Sequence, residues 1–135
     1  MHYLTFVSRV ARLTGTSEDR AATLTGATLE TFAERLTGGE VLDLAAQLPK
    51  PLQGLLSPYP RDEAAERFGA AEFVARVARR ADCDENTARD AVRAVFVTMR
   101  EAIRGGEFQE VVVQFPRDYR DMVEPALAPA TANRR

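Results

Sequence analysis

The feature that most constrains this chain is a self-similarity that runs without a gap at a constant offset of 67 residues. At that offset Phe6-Val7-Ser8-Arg9-Val10-Ala11-Arg12 lies over Phe73-Val74-Ala75-Arg76-Val77-Ala78-Arg79. Glu18, Ala21, Ala27, Thr31 and Glu34 lie over Glu85, Ala88, Ala94, Thr98 and Glu101. Gly38-Gly39-Glu40 meets Gly105-Gly106-Glu107, and Gln47-Leu48-Pro49 meets Gln114-Phe115-Pro116. Two unrelated amphipathic helices would share an apolar period, but not a double glycine, a Gln-x-Pro and the helix starts in one register. The chain reads as a tandem duplication of an all-α unit.

Each unit parses alike. Residues 3–13 and 70–80 form a first helix, with Phe6, Val7, Val10 and Ala11 on one face and Phe73, Val74, Val77 and Ala78 repeating it. Thr16 or Ser17 in one unit, and Asp82 or Asp84 in the other, offer capping oxygens for a long second helix over 17–36 and 84–103. The double glycines are expected to stop that helix, because glycine takes the left-handed conformation without a Cβ penalty. Residues 40–48 carry Val41, Leu44, Ala45 and Leu48 at helical spacing. The matching Val111-Val112-Val113 has strand propensity, yet shared ancestry assigns it to helix as well. Pro49 and Pro116 then open a last short helix carrying Leu52, Leu55 and Leu56, or Tyr119, Met122 and Val123.

The expected fold is therefore an all-α bundle of about four helices per unit: repeat 1 over 3–56, a Pro-rich linker over 57–69 and repeat 2 over 70–123. A unit of roughly fifty residues buries little surface alone, so the two are expected to pack about a pseudo-twofold axis as one domain over 1–124. The Ala/Pro-rich end, 125–135, reads as a disordered tail.

Several kinds of chemistry are poorly provided for. His2 is the lone histidine and Cys83 the lone cysteine, which cannot build a zinc site or an intramolecular disulfide. A nucleophile–base pair through histidine is equally remote, with the imidazole at the start of the chain. Neither catalytic nor cofactor residues are assigned, and the chain is read as no enzyme. A net charge of −2 exerts no overall pull on nucleic acid or an anionic membrane. Arg9 and Arg12 interrupt the apolar start, leaving neither a signal peptide nor a membrane span, so a cytoplasmic location is expected.

On the Phe-Val-x-Arg-Val-Ala, Gly-Gly-Glu and Gln-x-Pro anchors, the chain resembles the bacterial family catalogued as domain of unknown function 2267. The resemblance runs from Tyr3 to about Val123, with the Gly38–Pro49 stretch its most characteristic part. It implies a helical fold and transfers no catalytic residue. A more distant similarity, carried by the turn at Gly15-Thr16-Ser17, the long helix and Gly-Gly-Glu, is to the helical half of histone-like DNA-bending proteins. Those have strands and basic arms after the Gly-Glu; here a Leu/Ala helix and a Val-rich segment follow instead.

What differs between the units is more informative for function. Arg89, Arg93, Arg100 and Arg104 form a stripe near one face of the second long helix, where the first unit has Ala22, Gly26, Ala33 and Thr37. The stripe could hold phosphates or an acidic partner. A solvated face neutralised by Glu85, Asp90 and Glu101 outweighs that reading. The small-residue face fits intramolecular helix packing better than an oligomer contact. Glu34 and Glu101 make a weak carboxylate pair without an internal histidine, Gln47 and Gln114 suit turn hydrogen bonds, and Cys83 stands where a helix start could lower its pKa. The leading expectation is a non-enzymatic module that binds another protein or assembles with copies of itself, with nucleic-acid or anion binding through the stripe as the alternative.

Overall fold

These periodicities resolve into eight α-helices and no strand among the described residues, 1–56 and 65–127 of the computed structural model. In order they are α1 (Tyr3–Thr14), α2 (Glu18–Glu34), α3 (Gly38–Ala45), α4 (Lys50–Leu56), α5 (Ala70–Ala81), α6 (Glu85–Ala102), α7 (Glu107–Val112) and α8 (Arg120–Leu127). A 3-10 turn, Arg117–Tyr119, leads into α8. The expected linker residues 57–64 and tail residues 128–135 lie outside the described residues. Pro125, Ala126 and Leu127, expected in a disordered tail, belong to α8, where Ala126 is buried.

Local chemistry sets the helix ends. Ser17 Oγ accepts from Arg20 N at 3.1 Å and starts α2; Asp84 Oδ1 accepts from Thr87 N at 2.7 Å and starts α6. Asp82 has a different task, taking the left-handed conformation (φ 55°) that ends α5, as Gly15 (φ 70°) ends α1. The expected glycine stop ends neither long helix: α2 ends at Glu34, and α6 ends at Ala102 ahead of an extended Ile103, so that Gly106 caps the start of α7. Gly105 and Gly106 are left-handed, at φ 75° and 77°. Gly38 and Gly39 instead open α3, because Thr37 accepts from Glu40 N while Glu40 accepts from Thr37 N, a reciprocal capping box. Arg104 stands where Thr37 stands and offers no capping oxygen. The Val-rich segment is helical as expected, since Phe108 and Val112, one turn apart, both reach the core.

Packing is reciprocal. Helix α1 lies on α2 and α6, α5 lies on α6 and α2, and α2 and α6 cross at the centre. Helices α4 and α8 cover α2 and α6 respectively, and α3 meets α7. The Phe32 ring from the first half stands 5.3 Å from Phe96 and 5.9 Å from both Phe108 and Phe115 of the second. A fully buried phenylalanine contributes about 1.5–3 kcal/mol, so this cluster is a principal tie between the halves. Two ion pairs at matched positions cross the same boundary: Arg9–Glu101 at 2.7 Å and Arg76–Glu34 at 2.8 Å.

Candidate functional site

The arginine stripe is divided by what surrounds it. Arg89 Nη1 lies 3.1 Å from Asp121 Oδ2 on α8, rather than on Glu85. Arg93 binds Asp90 at 2.8 Å, donates through Nε to the Asp121 carbonyl at 3.1 Å, and lies 3.5 Å from the Asp121 carboxylate. Half of the stripe is thus a clamp holding α8 on α6. Ion pairs among the described residues leave out Arg100 and Arg104. Arg100 is half-buried with its Nε unpartnered, and Arg104 is exposed, its backbone N–H donating to Gln47 Oε1 at 2.8 Å.

The two candidate glutamates are drawn into structural roles. Glu101 binds Arg9 through both oxygens, at 3.0 and 2.7 Å. Glu34, half-buried rather than at the surface, receives Arg76 at 2.8 Å and Arg80 at 2.6 Å. Burial pushes the Glu34 carboxyl up, but the bonds from Arg80 and Arg76 outweigh it and hold the pKa below its ordinary value. Arg76 also reaches Glu66 and Glu72, so this polar cluster consumes its own charges. Gln47 bonds Glu107 across the halves, while Gln114 donates to the Glu110 carbonyl within its own turn. Burial raises the Cys83 pKa, with Asp84 and Asp82 adding to the rise against the pull of Arg20. An activated thiolate is not what this helix start provides. Among the described residues no group of three His, Cys, Asp or Glu side chains is placed to hold a metal ion.

An open groove lies elsewhere, along α7, the 3-10 turn and α8. Its cavity measures about 410 Å³ and its wall is largely apolar, formed by Val112, Val113, Phe115, Tyr119, Val123 and Leu127. Burial of Val112, Tyr119 and Val123 fixes the floor, whereas Val113 is 64% exposed. The 3-10 turn is pinned from behind: Asp118 Oδ2 accepts from Ala70 N at 2.9 Å, and Tyr119 OH donates to the Phe68 carbonyl at 2.7 Å. Gly69 leaves room for it, since a Cβ would come within 2.7 Å of that Asp118 oxygen and displace the side chain. Arg117, Arg120 and Glu124 stand on the rim. Arg120 and Glu124 meet at 3.8 Å, and Arg117 has no ion pair among the described residues. Sequence reasoning missed this site. Its one linear signal is Val113, an apolar residue beyond the buried Phe108–Val112 face.

With the fold and groove in hand, the chain can be placed. It is an all-helical protein with no helix, among the described residues, long and apolar enough to cross a membrane. It belongs to the family described as uncharacterized conserved protein (DUF2267), which it matches over residues 3–122. Compared with curated proteins, the chain matches none.

Proposed function

We propose that this chain is a non-enzymatic protein-interaction module whose docking face is the groove between α7 and α8. The occupant we assign is a short segment of another protein that presents apolar side chains beside an acidic residue. One observation carries the reading: Val113 is exposed on the wall of an apolar groove whose rim has two arginines against one glutamate. Apolar side chains would be buried along Phe115 and Leu127, and the acidic residue would face Arg117. The same reading takes the chain as a duplicated unit, supported by the Arg9–Glu101 and Arg76–Glu34 pairs falling in the repeat register. Nucleic-acid binding is the lesser reading, because Asp121 and Asp90 neutralise Arg89 and Arg93.

Selection of peptides from a displayed random library against the whole protein tests this. Enriched peptides should pair apolar residues with an acidic one, and Val113→Asp should abolish their binding without lowering Tm. Peptides that bind the variant equally well, or no enrichment at all, would overturn the proposal. A monomer–dimer equilibrium abolished by the same substitution would make the occupant a second copy and also overturn it.

A further inference from the structure

A second cavity, on the side of the molecule where α2 ends and α3 begins, has a different chemistry. It measures about 290 Å³, and its wall includes Arg35, Thr37, Arg67, Val111, Gln114 and Phe115. Arg35 is set in an aromatic cage, its guanidinium carbon 4.6 Å from the Phe115 ring centre, 5.2 Å from Tyr119 and 5.7 Å from Phe68. Its Nη1 donates to the Phe68 carbonyl at 3.1 Å and to the Glu66 carbonyl at 3.5 Å, while its Nε is buried without a partner. A half-buried guanidinium served by two carbonyls and aromatic faces, with no ion pair among the described residues, would gain from an added anion.

Two acids also line this cavity, and both are already engaged. Glu40 closes the capping box at the start of α3, and Glu66 binds Arg76 at 3.1 Å. Arg67 is exposed and, like Arg35, forms no ion pair among the described residues. Glu66 is thus paired and Glu40 is held at the Thr37 N–H, which leaves Arg35 and Arg67 as the cations facing the space with no ion pair among the described residues, beside the Thr37 hydroxyl and the Gln114 amide and opposite an apolar wall.

We propose that this cavity binds a small organic oxyanion, its carboxylate or phosphate group held by Arg35 and Arg67 and its apolar part lying on Val111 and Phe115. The cavity shares the Phe115 edge with the α7–α8 groove, but Arg35 and Arg67 lie outside that groove and Val113 and Arg117 outside this cavity, so substitutions at those residues test the two proposals separately. Titrating the whole 15N-labelled protein with phenyl phosphate, benzoate and inorganic phosphate tests it. Saturable shifts of the Arg35 Nε–H and Gln114 side-chain resonances are expected, with phenyl phosphate against benzoate deciding between the two head groups. The organic probes should bind more tightly than inorganic phosphate. Arg67→Glu, at an exposed position, should weaken binding about tenfold or more while leaving Tm unchanged. No saturable shift at tens of millimolar, or an Arg67→Glu variant that binds as well as the parent, would overturn the proposal and leave the cavity filled with solvent.

Discussion

Helices α2 and α6 occupy matched places, yet each receives its covering helix differently. On α2 the face Ala22, Gly26 and Ala33 is small, and α4 comes close: a Cβ on Gly26 would stand 3.7 Å from Leu55 Cδ1. On α6 the same face carries arginines, and α8 is held by Arg89 and Arg93 gripping Asp121. The first half covers its long helix by apolar contact, and the second adds a polar clamp to the buried contacts of Met122 and Ala126. That difference sits beside the groove, because α8 turns one side to the clamp and another to Val112 and Phe115. Arg89 and Arg93, which look like part of a binding face in the sequence, hold α8, one wall of the groove, in place.

The largest effect that separates the two halves should come from truncating the matched residues under each covering helix. Met122 is fully buried, and Met122→Ala should cost about 2–5 kcal/mol, whereas Leu55→Ala, at a half-buried position, should cost clearly less in urea unfolding. Equal losses would break the comparison. Next comes the pH dependence of the second half, where Tyr119 stands 67 residues after Leu52. Burial raises its pKa from 10.0 to about 12, with Arg35 lowering and Asp118 raising it to lesser degrees. The unfolded chain releases this proton first, so stability present below pH 10 should fall as pH rises toward about 12. Tyr119→Phe should remove that fall; an unchanged alkaline limb in the variant would assign the loss to other groups.

Smaller effects sharpen the comparison. Gly26→Ala should stabilise by about 0.5–1 kcal/mol, since mid-helix glycine is costly and the added Cβ meets Leu55 at an ordinary contact distance of 3.7 Å. A destabilised variant would mean that α4 packs more tightly than 3.7 Å implies. Asp121→Ala should cost about 0.2–1 kcal/mol, because the clamp is partly solvated. A double-mutant cycle with Arg89→Ala should recover most of that loss as coupling, and zero coupling would remove Arg89 from the clamp.

Much of the fold was legible because it rests on local periodicity and capping. The faces of α1 and α5, and the caps Ser17 and Asp84, follow from residues within a turn or two of each other. The double glycines were misread for an identifiable reason. Thr37-Gly-Gly-Glu40 contains a capping box that starts α3, and Gly106 caps the start of α7, so both glycine pairs serve the helix that follows them. The site was less legible because its parts are remote in sequence. Asp121 reaches Arg89 from another helix, and the Arg35 cage draws on Phe68, Phe115 and Tyr119. Charge spacing along α6 carried no information about either.

We place docking at the α7–α8 groove and not on the α6 stripe. Chemical-shift mapping of the 15N-labelled protein with a library-selected peptide measures this directly. The account predicts perturbations concentrated on Val112, Val113, Phe115, Val123 and Leu127. Perturbations centred on Arg100 and Arg104, or on the matched first-half residues Ala46, Leu48 and Leu56, would contradict it.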